Sequence, residues 1–504
     1  MRTRTAFEVH GKAVFRIRWI HGTSIGRFRE KLQEYSSSLS HEHLGYGALG
    51  FWIVTGSLAF HAAYALPRLA FLVVLYLFCV IQLARAKTWR GAFYSGLALG
   101  LLAGAPRLAF FWTIFSGGAL ALWLVYAFWI GLFAALARVA LRRMGPIWGW
   151  VAVPFLWTGL EYFRSELYYL KFAWLSPAYA FSGMPWQVPL SVTGVFGLGF
   201  VLATIATVAN LPRTAVPRII ALTAGTAAIW AWAVACETRT EAAGGGQVHV
   251  AGVQMEFPTE KEVLLRLSQL LRKHPETELF VLSEYTFTEP VPAGVRNWCR
   301  KNERYLIVGG KAPAPGGQFY NTAFVIGPNG EDVFHQVKGV PIQFFKDGLP
   351  APEHRVWHSP WGRIGICICY DLSYKRIVDP LIKQGAEALI VPTMDVVDWG
   401  LAQHNLHGRV APLRAAEYRV PIFRVASSGI SQFVDSRGRV LASAPRPGEG
   451  AELTGVLRMG TAGRFPADRW LAPTCVVLTV VGGCWLTGVA FREKFQQNRP
   501  NFTG

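Results

Sequence analysis

The sequence predicts a polytopic α-helical membrane domain of about eight spans, with an α/β layered domain inserted between the seventh span and the eighth. Three observations carry this reading. The 504-residue chain is 52% apolar, and its mean hydropathy of +0.28 is high for a soluble protein. Apolar runs close to the ~20 residues that a bilayer crossing needs follow one another before residue 236. Between residues 247 and 457 charges become frequent and the apolar runs shorten to strand length, which is the texture of a soluble domain.

Residues 1–44 are strongly basic and lack a signal-peptide cleavage pattern, so they read as a cytoplasmic N-terminal tail or an overlong start and not as a removable sequence. The seven-span domain, 45–236, has spans near 46–66, 69–84, 92–113, 117–137, 146–163, 193–211 and 216–236. The last span lies near 471–491. The net charge of +19 gathers in alternate loops: Arg2 to Lys31, then Arg85, Lys87 and Arg90, then Arg138, Arg142 and Arg143, then Arg213 and Arg218, and finally Arg492, Lys494 and Arg499. That is the positive-inside pattern of eight spans with both termini cytoplasmic, and it argues against a nucleic-acid partner. It also puts the domain 247–457 outside the cytoplasmic membrane.

Among the membrane segments, Arg107, Glu161 and Arg164 are charges at or near membrane depth, where charges mark functional sites by default. Glu161 and Arg164, three apart on a helix, can also simply pair with each other. The outer stretch 164–189, "RSELYYLKFAWLSPAYAFSGMPWQVP", is crowded with aromatic residues; it reads as an interfacial belt, with the rim of an acyl-chain entrance as the sharper alternative. The seven cysteines are odd in number and show no disulfide framework.

The soluble domain opens after a hinge at Gly244 to Gly246 and alternates strand and helix signals. Strands are read at "HVAGVQ", "LFVLSE", "YLIVGG", "NTAFVIG", "ALIVPT" and "PIFRVAS", and a capping box, Thr259 with Glu262, starts a helix with one apolar face. Strands apolar throughout are buried on both faces. A further strand, Ile364 to Ile368 in "GRIGICICYDLSY", places Cys367 and Cys369 on one side by period-two alternation. Cys-x-Cys lacks the two further soft ligands of a tetrahedral site, so no metal is expected.

Three reactive groups fall at strand ends: Glu284 after "LFVLS", Lys338 after "EDVFHQV" and Cys369 after "IGICI". A carboxylate that takes a thiol proton, a thiolate that attacks a carbonyl and an ammonium that stabilises the oxyanion form a complete acyl-transfer set. Each also has a plain explanation: a strand-end cap, a solvated loop charge and core filling.

The segments "VLSEYTF", "YNTAFVIGPNGE" and "CYDLSY" resemble those of the carbon–nitrogen hydrolase (nitrilase) superfamily, whose triad is Glu-Lys-Cys. The eight-span setting, with "WTGLEYFRS", "FAWLSPAY", "TGVFGLGF" and the stretch Leu406 to Ala442, resembles one branch, the apolipoprotein N-acyltransferases. The resemblance implies a nitrilase-like layered sandwich for 247–457 and ping-pong acyl transfer. Cys369, activated by Glu284 and assisted by Lys338, takes an acyl group from a phospholipid and passes it to the amine of a diacylglyceryl-cysteine on a lipoprotein. It also implies Tyr370, Asp371, Arg424 and Trp399 as substrate-binding residues, no cofactor, and the inner membrane of a bacterium with the catalytic domain periplasmic. Cys367 becomes the structural member of the pair.

The sequence departs from that pattern around the lysine. Anchoring on Val340-Pro341 puts Gln336 where the family has its lysine and Phe344 where it has a pocket glutamate, so Lys338 reaches the site only if this loop is two residues shorter. The family's Asn-Asp-Ala-Trp-Phe-Gly is "MDVVDWG" here, which leaves its tryptophan either lost at Val397 or shifted to Trp399. Its Asn-Asn-Gly is Ser427-Ser428-Gly429. Two further readings therefore stand beside the acyltransferase: a membrane-tethered amidase or nitrilase, and a catalytically inactive binding paralogue.

Overall fold

In a computed structural model of the chain, the described residues are 43–183, 189–211, 225, 245–444 and 446–497. Most of the basic tail and of the seventh predicted span, 216–236, lies outside them. Helices Tyr46–Ala65, Leu72–Leu83, Trp89–Arg107, Gly118–Arg143, Gly145–Tyr162 and Leu190–Ala209 fall on the other predicted spans, and Asp468–Gln497 falls on the last. Three of these, Tyr46–Ala65, Gly118–Arg143 and Leu190–Ala209, are by length and composition long and apolar enough to cross a membrane.

Two membrane-segment expectations change. The predicted third span stops short: Pro106 sits at the end of Trp89–Arg107, and the chain turns into a separate short helix, Phe110–Phe115. Arg107, freed from the helix interior, donates to the carbonyl of His61. The Glu161–Arg164 pair does not form, because the helix widens after Tyr162 into a π turn, Phe163–Leu167, and loses the three-residue register. Arg164 instead donates to the Phe172 carbonyl at 3.2 Å and lies over the Tyr126 ring.

The soluble domain contains two six-stranded sheets. The strands are β1 (Gln247–Val253), β2 (Leu279–Val281), β3 (Tyr305–Pro313), β4 (Phe319–Ile326), β5 (Asp332–Val337) and β6 (Val356–Ser359). They continue as β7 (Gly362–Ile366), β8 (Ala388–Thr393), β9 (Ile422–Ala426), β10 (Ser431–Val434), β11 (Val440–Ala444) and β12 (Glu452–Arg458). One sheet has the order β12-β1-β2-β3-β4-β5 and the other β11-β10-β9-β8-β7-β6. Their inner faces, with Val250, Val281 and Ile307 against Ile366, Ile390 and Val425, form a single core.

Helices cover both outer faces, which is why the central strands are apolar on both sides. On the first sheet lie Glu260–Lys273, started by the Thr259–Glu262 capping box, and Ala293–Asn302. On the second lie Lys375–Lys383 and Val410–Tyr418. Here the layers do not end. Ile377, Leu381 and Leu413 belong to the same continuous buried cluster as Leu77, Trp157 and Leu202 of the membrane helices. The second sheet is thus mounted on the membrane domain through a shared core, and each large aliphatic side chain in it contributes about 1.5–3 kcal/mol.

Charges pin this junction. Arg414, fully buried on Val410–Tyr418, donates to the carbonyls of Leu372 and Ser373 and to Glu417, and lies 3.8 Å from Glu166 of the membrane domain. Burial alone would raise the Glu417 carboxyl, but Arg414 and Arg469 hold it below the usual range. Gly194 breaks its helix with φ +73, and the restarted turn offers the Val195 and Phe196 amides to Glu417 and Asp468. A Cβ at Gly194 would sit 2.2 Å from the Asp468 carboxyl carbon, so only glycine fits.

Replacing Arg414 with Met should therefore leave Glu166 buried without its guanidinium and Glu417 with Arg469 alone, and destabilise the fold by about 3–5 kcal/mol. Thermal unfolding of the detergent-solubilised protein would measure this. A melting temperature equal to wild type would show that Arg414 does not hold the junction.

Candidate active site

Glu284, Lys338 and Cys369 come together at one end of the sandwich. Lys338 follows β5 directly, and its Nζ lies 2.7 Å from Glu284 Oε1 and 2.7 Å from Asp347 Oδ2. Asn321 on β4 donates to both carboxylates, at 2.6 Å to Glu284 and 2.9 Å to Asp347. Tyr285 and the Ile342 amide complete the shell of Asp347. Gln336, the alternative to Lys338, points elsewhere: its amide bonds the carbonyls of Val337 and Glu353. The loop is thus short enough for Lys338 to enter. Asp347, in "FFKDG", supplies a second carboxylate that sequence reasoning missed; it lies three residues past Phe344, where alignment by spacing placed none.

Glu284 and Cys369 meet at one residue, Met394. The Met394 amide donates to Glu284 Oε2 at 2.9 Å, and the Met394 carbonyl accepts from the Cys369 thiol at 3.7 Å. Gly309 on β3 makes room for the carboxylate's backbone: a Cβ there would stand 2.5 Å from the Tyr285 nitrogen and 2.6 Å from the Glu284 Cα.

The cysteine pair departs from the sequence expectation. Strand β7 ends at Ile366, and Cys369 opens a tight helical turn, Cys369–Ser373, with φ +54. Ile364, Ile366 and Ile368 face the inter-sheet core, and Cys367 faces the opposite, helix-covered layer. Unbroken alternation would have sent Cys369 after Cys367. The left-handed residue instead swings the Cys369 side chain back to the inner face, so the two thiols lie in different layers.

Burial decides the protonation states. It pushes the Cys369 thiol well up, an effect that the Glu284 carboxylate adds to and Lys338 opposes. Burial also raises the Glu284 carboxyl, against the pull of Lys338, and so makes it a stronger base than a surface glutamate. For Lys338 burial works against the charge, yet Glu284 and Asp347 together keep the ammonium firmly protonated. Two of its three N–H groups are committed to carboxylates, leaving one for a developing oxyanion.

Cys369 forms part of the wall of a mainly apolar cavity that runs between the two domains. Leu108, Phe111 and Tyr126 line it from the membrane helices, Phe172 and Trp174 from the aromatic outer stretch, and Tyr370 and Trp399 from the soluble domain. Part of that outer stretch is therefore a domain junction and not only an interfacial belt. The Lys171 carbonyl accepts from Tyr370 and Tyr374, and Trp174 donates to Ser373 at 2.9 Å.

Of the four residues expected to bind substrate, Tyr370 and Trp399 line the cavity. Asp371 and Arg424 lie behind its wall. The Asp371 carboxylate accepts from the amides of Gly339, Val340 and Ile368, tying the lysine loop to the cysteine turn. Arg424 donates to Asp395 at 2.6 Å and to the Ile430 carbonyl. Asp395 and His407 were also missed; "QHNLHGR" carries no pattern that separates a site histidine from a packed one. No group of three or more metal-ligating side chains occurs among the described residues.

The fold agrees with comparisons to known proteins. The profile of the apolipoprotein N-acyltransferase N-terminal domain matches residues 54–208, and that of carbon–nitrogen hydrolase matches residues 270–461. The chain is 26% identical over 479 residues to an apolipoprotein N-acyltransferase of Geobacter metallireducens, covering 81% of this chain and 88% of that protein. It is 23% identical over 435 residues to one of Shewanella oneidensis, covering 75% and 82%. An omega-amidase of Xenopus tropicalis is 28% identical, but over 157 residues that make up 28% of this chain and 57% of the amidase. The relatives that span both halves share the membrane domain as well as the sandwich, and on that ground the chain belongs to the apolipoprotein N-acyltransferase family of the carbon–nitrogen hydrolases.

Proposed function

We propose that the protein transfers a fatty acyl chain from a phospholipid, through a thioester on Cys369, to the N-terminal amine of a diacylglyceryl-cysteine on a lipoprotein. The cavity carries this reading: its thiol sits in a wall built by apolar side chains of the membrane helices. Such a wall suits an acyl chain arriving from a bilayer better than a small soluble amide. That disfavours the amidase alternative, and the ordered carboxylate–ammonium–thiol arrangement disfavours an inactive binding paralogue.

In the first half-reaction Glu284 takes the Cys369 proton as the sulfur attacks the ester carbonyl. Lys338 holds the oxyanion with its free N–H. Glu284 then returns the proton to the departing glyceryl oxygen, and the lysophospholipid leaves. In the second half the acceptor amine attacks the thioester, the C–S bond breaks, and Glu284 carries the proton released from nitrogen to the sulfur. Asp347, Asn321, Asp371 and Arg424 act by position. The charge pattern supports eight spans, both termini cytoplasmic and the sandwich on the periplasmic side of a bacterial inner membrane.

Intact mass of the detergent-solubilised protein after incubation with phosphatidylethanolamine tests the first half. A hydroxylamine-labile acyl adduct should appear in wild type and in Cys367→Ser, and be absent from Cys369→Ala. Released fatty acid with no adduct would favour a hydrolase; no reaction in wild type would favour a binding paralogue. Gly309→Ala should lower the rate of adduct formation at least tenfold, since its Cβ displaces the backbone of Glu284. An unchanged rate would remove Glu284 from the mechanism.

A further inference from the structure

The wall of the cavity that includes Cys369 also includes Gln403 and His407, which the triad does not use. Asp395, which follows β8, is fully buried, and its Oδ1 accepts from Gln403 Nε2 at 2.8 Å and bonds His407 Nδ1 at 2.7 Å. Both partners also line the cavity. Each is nine-tenths buried or more, and each presents one polar atom that lacks a hydrogen-bond partner, Gln403 Oε1 and His407 Nε2. An unpaired buried acceptor is costly to maintain. Two of them side by side, in the wall that also holds the nucleophile, form a receptor for a ligand rich in N–H donors.

The tautomer follows from Asp395. A carboxylate can only accept, so Nδ1 carries the ring proton and Nε2 has a free lone pair. Trp174 stacks on the imidazole with ring centroids 4.7 Å apart and planes 17° apart, which fixes its tilt. The charged and titratable groups around His407 are Asp395, Arg424 on β9 with Nη2 at 3.1 Å, His404 on its own helix, and Arg164, Lys171, Cys369 and Tyr370 across the cavity. Burial and Arg424 keep the resting imidazole neutral, while Asp395 stands ready to stabilise an imidazolium.

We propose that Gln403 and His407, held by Asp395, form the subsite for the acceptor's α-ammonium, and that His407 Nε2 takes its proton before attack. This rests on the acyl-transfer reading above and adds the step that reading leaves open. A free α-amine has a pKa of about 8 and arrives mostly protonated at neutral pH, with no lone pair for the thioester carbonyl. His407 removes one proton and becomes an imidazolium beside Asp395. The neutral nitrogen forms the C–N bond as C–S breaks, with Glu284 moving the second proton to sulfur. His407 returns its proton to water when the product leaves.

The experiment separates the half-reactions in the full-length protein. His407→Gln and His407→Ala are first loaded with phosphatidylethanolamine and weighed, then chased with a synthetic diacylglyceryl-cysteine peptide. Loading should stay within about threefold of wild type, while the chase at pH 7 should slow about 10²-fold or more, the usual contribution of a general base. The variants' chase rate should rise about tenfold per pH unit towards the amine pKa near 8, and added imidazole should speed the His407→Ala chase. Gln403→Leu, which removes the Oε1 acceptor together with the Nε2 donor to Asp395, should raise the peptide KM with little change in kcat. Loss of loading and chase together, at every pH and without imidazole rescue, would make His407 structural and overturn the proposal. So would a chase at wild-type rate. Failure of wild type itself to load would count against the acyl-transfer reading and not against this assignment.

Discussion

The site depends on one buried cation. An ammonium with no solvent exposure is tolerated only where its charge is matched and its N–H groups are met, and Lys338 obtains both from Glu284 and Asp347. Those carboxylates come from the end of β2 and from the loop after β5, and Asn321 on β4 clamps them together. The order of the first sheet brings these elements to one end. Removing Lys338 would leave two carboxylates side by side in a dry setting, so the base of the reaction and the frame of the site share the same atoms.

The second dependence is mechanical. Arg414 reaches from a helix of the sandwich to the carbonyls of Leu372 and Ser373, within the turn that carries Cys369, and lies beside Glu166 of the membrane domain. Tyr370 and Tyr374 hang from the Lys171 carbonyl of the outer stretch. The nucleophile's turn is thus gripped from both sides of the domain junction. This explains how a thiol on a soluble layer faces a cavity walled by membrane helices.

Much of this was legible in the sequence, for identifiable reasons. Strands such as "LFVLSE" and "ALIVPT" are apolar throughout because both sheet faces are covered, and Thr259 with Glu262 announces its helix locally. Glu284 and Cys369 stand where strand and turn signals meet. What stayed hidden depends on contacts distant in sequence. Asp347 joins the site only because its loop folds back onto Asn321. Asp395 and His407 lie in segments whose composition suits a packed helix equally well. The π turn after Tyr162 and the left-handed φ at Cys369 each shift a register that simple periodicity assumes to continue.

That single left-handed residue has a chemical consequence. Thiolates, not thiols, are what oxidants and alkylating agents attack, and a disulfide needs two sulfurs that can approach each other. Turning Cys369 into the inner core separates it from Cys367 by a layer of the protein, and the dryness of that core keeps the resting sulfur protonated. The nucleophile is thereby stored in a chemically quiet form, with the thiol of Cys367 out of its reach. Its reactivity is released only by the carboxylate beside it.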